Sequence, residues 1–301
     1  MAPIDPLASG FVGVFDSGIG GLSVLQALRV EMPHERFIYW SDSAYAPYGE
    51  RSDAFVIDRC NFITKQFFAR GNVKSVVIAC NTATAVGIES LRLQFPQLKF
   101  VGVEPALKPA SGVSNTGRIG VIGTHATLQS ARFAKLLDKV LADAAPDACE
   151  FIIQPCQGLA LAIERLTANV HSGSQEVEEL CALYLKKMGS FGHAPGQMDT
   201  LVLGCTHYVF AQDIFRQLLG PTVNIISTGS AVAKQTQRLS MDSRLEKTSK
   251  AVWGSDFLNE DQPQKSIELW TTGPLSALEK AAKRWLTLPP DCCHRWAPSS
   301  I

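Results

Sequence analysis

The sequence predicts an α/β protein built as two pseudo-symmetric domains with mostly parallel sheets and a cleft between them. Three observations predict this. Short apolar runs that end in Gly, Cys or Asp alternate with amphipathic segments, the pattern of βα units. A chain of 301 residues is long for a single core. The two halves also echo one another: each opens on a strand and a small polar turn (VFDSG at 14–18, VIGTH at 121–125). Each later carries a strand that ends in Cys before a helix start (VVIACNT at 76–82, LVLGCTH at 201–207).

The apolar runs place strands at Phe11–Phe15, Phe37–Trp40, Val73–Ala79, Phe100–Val103, Ile119–Ile122, Glu150–Ile153, Thr200–Leu203, Val223–Ile226 and Ile267–Thr271. Helical periodicity falls on Leu22–Val30, Asp53–Arg70, Thr84–Leu93, Ser130–Leu141, Leu159–Leu166, Val177–Lys187, Tyr208–Leu219, Ala231–Leu239 and Leu275–Trp285. Lys108–Arg118 (KPASGVSNTGR) is small and polar and reads as a linker between the halves. Lys247–Pro263 is polar with few structural cues and reads as a long surface connection. Cys292, Cys293 and His294 lie in a tail of Pro, Cys and Trp and read as incidental surface or terminal packing.

Composition excludes several functions. Lys+Arg and Asp+Glu both number 28, so no net field draws a polyanion or an anionic membrane, and neither nucleic acid nor membrane is expected as a partner. The start, MAPIDPLASGFVGVF, has no basic region followed by an apolar run, and no stretch approaches the roughly 20 apolar residues of a membrane span. The eight cysteines follow no framework spacing and read as reduced thiols in a cytoplasmic protein.

Two of those cysteines carry chemistry. Cys80 precedes Asn81 and Thr82, both good N-cap residues, and Cys205 precedes Thr206 and His207 at a second helix start. Ligands of open α/β sheets bind beyond the carboxyl ends of strands, where both thiols would lie. A helix N-terminus favours thiolate and offers free N–H groups to a carboxylate. One such thiol suggests a nucleophile. Two, in equivalent turns of facing halves, suggest inversion of a carbon centre, with a base on one face and an acid on the other.

Other readings stand beside this one. Buried cysteine is common core filler. Cys205 and His207 offer S and N ligands, but no C-x₂-C or H-x₃-H partner spacing appears, so no metal is expected. Cys/His nucleophilic hydrolysis would leave Cys80 unexplained. The turn Asp16-Ser17-Gly18-Ile19-Gly20-Gly21 lacks the full dinucleotide fingerprint and the P-loop lysine. Its Asp would repel phosphate and suits an ammonium group or a cysteine proton, or simply serves as a helix cap. Thr124, in the matching turn of the second half, could bind a carboxylate or cap a helix. Tyr45 and Tyr48 sit in a Pro/Gly loop open to substrate contact.

Together, VFDSGIGGLSVL (14–25), SDSAYAPYGERS (41–52), IACNTATA (78–85), GVEPALKPA (102–110), GVIGTHATLQS (120–130), LVLGCTHY (201–208) and TTG (271–273) resemble the glutamate racemases among the cofactor-independent two-cysteine racemases. The resemblance spans nearly the whole chain in the family's order. It implies interconversion of L- and D-glutamate, supply of D-glutamate for bacterial peptidoglycan, no cofactor, and a small-molecule substrate, with a homodimer as an option. It implies a first domain of residues 1–107 and 228–301, a second of 108–227, and the active site between them. Cys80 and Cys205 match the two catalytic thiols, Cys80 as base for the D-isomer and Cys205 for the L-isomer. Asp16 and Ser17 match the turn that contacts substrate and supports one thiol. Tyr48 and Gly49 match the PYG loop, and Asn81, Thr82 and Thr206 the residues that bind substrate. His207 matches the group beside the second thiol, and Glu164 a glutamate near it. Val209 replaces a frequent Pro, and the stretch before Glu164 (CQGLALAIE) lacks a usual one. An aspartate or hydantoin racemase, or a non-catalytic amino-acid-binding protein of the same fold, are the alternatives.

Overall fold

The structure is a computed structural model, which describes residues 10–143, 149–168, 174–240 and 267–297. Its strands in chain order are β1 (Phe11–Asp16), β2 (Phe37–Ser41), β3 (Val73–Ile78), β4 (Phe100–Gly102), β5 (Arg118–Gly123), β6 (Glu150–Pro155), β7 (Thr200–Gly204), β8 (Asn224–Ile226), β9 (Ile267–Thr271) and β10 (Cys293–Arg295). The helices are α1 (Leu22–Glu31), α2 (Asp53–Ala69), α3 (Asn81–Gln94), α4 (Leu107–Val113), α5 (His125–Leu128), α6 (Ala131–Asp143), α7 (Leu159–Ala168), α8 (Ser174–Met188), α9 (Gln212–Leu219), α10 (Gly229–Ser240) and α11 (Leu275–Leu286).

The strands form two sheets, ordered β10-β9-β2-β1-β3-β4 and β6-β5-β7-β8. Every strand pair in both is parallel. The echo heard in the sequence is therefore topological: β2-β1-β3-β4 and β6-β5-β7-β8 are the same arrangement. In each, the chain leaves the central strand in one direction and returns on its other side. That reversal opens a crevice above the carboxyl ends of β1 and β3, and of β5 and β7. Asp16 and Cys80 flank the first crevice; Thr124 and Cys205 flank the second.

Side-chain alternation feeds cores on both faces of each sheet. On β1, Val12 and Val14 pack with α1, α10 and α11, while Phe11 and Phe15 pack with α2 and α3. Strands covered on both faces read as continuous apolar runs, which is why the sequence exposes them so clearly. The second sheet is covered by α7, α8 and α9 on one face and by α4 and α6 on the other. α10 packs on α1 and β3, and α11 on α1 and α7, so the chain after β8 returns to the first sheet.

Three expectations are corrected. Lys108–Arg118 is not a bare linker: most of α4 lies within it, with Leu107 and Ala110 buried. Pro109 does not prevent this, because it falls in the first turn, where its missing N–H costs no helical hydrogen bond. The remainder is clamped by the buried carboxylate of Asp199, which accepts from Ser114 Oγ (2.6 Å), Asn115 N (2.6 Å), Thr116 N (3.1 Å) and Thr200 Oγ1 (3.0 Å). Asp199→Ala is expected to destabilise the fold by about 2–4 kcal/mol, because it strands two backbone donors; urea denaturation at neutral pH measures it. Cys292 and Cys293 are buried, and Cys293–Arg295 extend the first sheet as its edge strand, so the tail is part of the core. Only a three-residue strand is present there, too short for a periodicity signal. The segment Tyr208–Leu219 is helical only from Gln212; Thr206–Ala211 is a 3-10 turn. Lys247–Pro263 lies outside the described residues.

Candidate active site

Four turns meet where the two sheets present their carboxyl ends to each other. The first follows β1. Asp16 is fully buried, and its Oδ1 accepts from Ser17 N (2.6 Å) and Ser17 Oγ (3.2 Å). It does not cap α1, whose N-cap is Gly21 with no side-chain bond. Its other oxygen accepts from Thr206 Oγ1 across the cleft at 3.2 Å. Burial pushes the Asp16 carboxyl up from its ordinary range, and the nearby His207 offsets this only in part.

The turn after β3 holds Cys80. Asn81 and Thr82 were the expected caps, but Cys80 itself is the N-cap of α3, its Sγ accepting from Ala83 N at 3.5 Å. Its thiol also reaches Ser17 Oγ at 3.8 Å. The helix start does not produce the expected low-pKa thiol. Burial and the Asp16 charge push Cys80 well above the ordinary cysteine range, against the Ala83 N–H. Cys205 is close enough to contribute to the same shift. Asn81 is buried, and among the described residues neither its Oδ1 nor its Nδ2 has a hydrogen-bond partner. Buried amides are normally paired, so this one is free to bind a ligand.

The turn after β5 meets it. Thr124 caps α5 through Thr127 N (3.3 Å) and also stands 3.0 Å, hydroxyl to hydroxyl, from Thr82. The capping reading of Thr124 is therefore the one its contacts show. Thr127, which the sequence did not single out, completes a part-buried triad of hydroxyls with Thr82 (3.4 Å) and Thr124 (2.9 Å). It lies one helical turn along from Thr124, and only the fold brings it to Thr82.

The turn after β7 holds Cys205, which enters a 3-10 turn and makes no capping bond. Its partner is His207, whose Nδ1 is 3.9 Å from Sγ. His207 Nε2 is 2.6 Å from Glu164 Oε2 on α7. Glu164 also accepts from Ile19 N (3.0 Å) and Ser43 Oγ (3.1 Å), both attached to the first sheet. Burial lowers the His207 imidazole, but hydrogen bonds to Cys205 and Glu164 and the Glu164 charge carry it well above its ordinary value. Burial raises Glu164, yet the His207, Ile19 and Ser43 contacts hold it below the usual carboxylate range. The pair is therefore carboxylate and imidazolium, with Nε2–H on Glu164 and Nδ1–H facing the sulfur.

The glycines of the first turn make room for this. A Cβ on Gly18 would stand 2.4 Å from Glu164 Oε2, and one on Gly20 would stand 2.4 Å from His207 Nδ1. The Tyr48–Gly49 loop is the remaining wall. Gly49 lies so close to Thr124 that a Cβ would come within 3.0 Å of its side chain. Tyr48, expected to face substrate, is buried and gives its hydroxyl to Asp42 at 2.5 Å. Asp42 and Ser43 went unremarked in the sequence because a polar pair at a strand end looks like an ordinary turn.

A glutamate racemase of Pseudomonas syringae pv. tomato is 41% identical to this chain over 259 residues, 85% of this chain and 89% of that protein. The chain belongs to the glutamate racemase family. A second family member, from Ralstonia nicotianae, is 44% identical over 240 residues, 80% of this chain and 81% of that protein. Solved glutamate racemases share the fold. The Escherichia coli enzyme, in complex with L-glutamate and the activator UDP-MurNAc-ala, superposes with a TM-score of 0.74 at 26% identity, over 92% of this chain and 95% of that one. The Francisella tularensis enzyme in complex with D-glutamate gives 0.71 at 25% identity, over 97% and 98%. No protein-family model matches the chain. Among the described residues, no group of three or more His, Cys, Asp or Glu side chains is placed to hold a metal ion. None of their helices is long and apolar enough to cross a membrane.

Proposed function

We propose that this chain interconverts L- and D-glutamate, and so supplies D-glutamate for peptidoglycan, by proton transfer between Cys80 and Cys205 on opposite faces of the α-carbon. The observation that carries this reading is the placement of two thiols at equivalent strand ends of two like-ordered sheets that meet at one cleft. The division into residues 1–107 with 228–301 and 108–227 follows the same arrangement. α4 packs on β7 and α6, and α10 on α1.

The scheme uses only the chain's own acids and bases. Burial and the Asp16 charge favour the neutral thiol at Cys80. An arriving α-ammonium brings positive charge beside Cys80 and Asp16, which favours their ionised forms. The Asn81 amide and the hydroxyls of Thr82, Thr124 and Thr206 receive carboxylates, the Tyr48–Gly49 backbone walls the cleft, and Ser17 links Asp16 to the Cys80 sulfur. One thiolate takes the α-proton while the opposite thiol delivers another. On the Cys205 side, the His207 imidazolium faces the sulfur, and Glu164 keeps the ring protonated and oriented. The reverse reaction exchanges the roles of the two sulfurs.

The test is incubation with L-glutamate in deuterium oxide and no added cofactor. Loss of optical activity with deuterium entering at Cα is expected, and faster turnover of glutamate than of aspartate or hydantoins. Tight glutamate binding without exchange at Cα would sink the reading.

A further inference from the structure

One part-buried charge pair takes no part in the chemistry above. Asp42, just beyond β2, is fully buried, and four side-chain donors converge on its carboxylate. Arg59 of α2 forks onto it, Nη2 to Oδ1 and Nε to Oδ2, both at 2.8 Å. Tyr48 Oη donates to Oδ2 at 2.5 Å and Thr272 Oγ1 to Oδ1 at 3.1 Å. The guanidinium is in turn held between rings, 3.8 Å from the Tyr45 centroid and 4.5 Å from that of Phe62. The backbone is drawn in as well. Asp42 N donates to Asp16 O at 2.9 Å, Tyr45 N to Asp42 O at 2.9 Å, and Ala44 N to Thr272 Oγ1 at 3.2 Å.

A buried ion pair is weak evidence for stability, since well-packed apolar groups often replace one without loss. A two-point fork does fix orientation, and here it fixes both ends of one loop. Tyr45 lies on the guanidinium and Tyr48 is bonded to the carboxylate, so the short stretch between them has little freedom. The next residue, Gly49, abuts Thr124 of the second sheet. We propose that Asp42 and Arg59 are positioning residues that hold the Tyr48–Gly49 turn against Thr124 and so set the wall of the cleft that receives a substrate carboxylate. This rests on the reading of the cleft as a glutamate site. It assigns Tyr48 a role through its hydroxyl's partner rather than through contact with substrate.

Asp42→Asn, Tyr48→Phe and Thr272→Val test it in the full chain. Each loses a hydrogen bond to the hub, so KM for glutamate is expected to rise about tenfold for Asp42→Asn and roughly threefold for the other two. Their kcat should stay within about threefold of wild type, because the thiols are untouched. Asp42→Glu, which keeps the charge, should recover part of the KM loss. A purely structural role predicts the opposite split, with less active protein and an unchanged KM. Amide hydrogen exchange over residues 44–50 is read in parallel, with faster exchange expected in all three variants. If Asp42→Asn does not fold, the two single-bond variants decide. Unchanged KM, or unchanged loop protection, overturns the proposal. The exchange arm does so even if the wild-type protein proves inactive on glutamate, which would overturn the functional reading instead.

Discussion

Alanine in place of either Cys80 or Cys205 is expected to reduce racemisation by about 10³-fold or more, because positioned proton transfer contributes roughly 10²–10⁴-fold and inversion needs it on both faces. The two losses are expected to differ in kind. A variant with one thiol can still remove a proton and return one to the same face. Cys205→Ala, which keeps Cys80, should exchange the α-proton of D-glutamate for solvent deuterium without inverting it. Cys80→Ala should do the same for L-glutamate. Proton NMR of the Cα signal for each enantiomer, beside circular dichroism for inversion, separates exchange from racemisation. Full racemisation by both single variants would exclude the mechanism. The surroundings of the sulfurs suggest that the two losses will also differ in size. Cys80 sits beside the Asp16 carboxylate and above its ordinary pKa, whereas Cys205 faces the His207 imidazolium.

What the sequence disclosed and what it concealed have physical causes. Strands buried on both faces announce themselves as apolar runs, so β1, β3, β5 and β7 and the turns after them were legible. Since the reacting groups sit in those turns, Asp16, Cys80, Thr124 and Cys205 were legible with them. Glu164 was placed near the second thiol only through the family resemblance, and its distance in sequence from Ile19 and Ser43 hid its bridging contacts. Asp42 and Arg59 were invisible because a charge pair 17 residues apart leaves no local pattern. The state of the Cys80 thiol was misjudged for a related reason. The helix start was visible in the sequence, but the burial and neighbouring carboxylate that outweigh it are products of tertiary packing.

Glu164→Gln is expected to lower kcat by about 10–100-fold while leaving the fold largely intact, because the amide keeps the shape of the carboxylate but not its charge. Glu164 holds the His207 imidazolium through Nε2 and spans to Ile19 N and Ser43 Oγ of the other sheet. Without the carboxylate, the hydrogen bond and the charge that raise His207 are lost while burial still opposes its protonation, so its pKa should fall. The sign of the pH effect follows. His207 is raised in the folded state, so its contribution to stability is complete below its ordinary 6.5 and lost as pH climbs through the folded value. Glu164 is depressed, so its contribution is complete above 4.5 and lost as pH falls through its folded value. The pair therefore stabilises the wild-type cleft from about pH 4.5 to well beyond 6.5. In Glu164→Gln the alkaline limb should move to lower pH, with the NMR titration of the His207 ring moving alongside it. Glu164→Ala, which leaves His207 Nε2, Ile19 N and Ser43 Oγ without their acceptor, should cost about 3–5 kcal/mol of stability as well. A glutamine variant with wild-type kcat and an unshifted His207 titration would show that Glu164 is not what keeps His207 protonated, and that its bridge only joins the two halves.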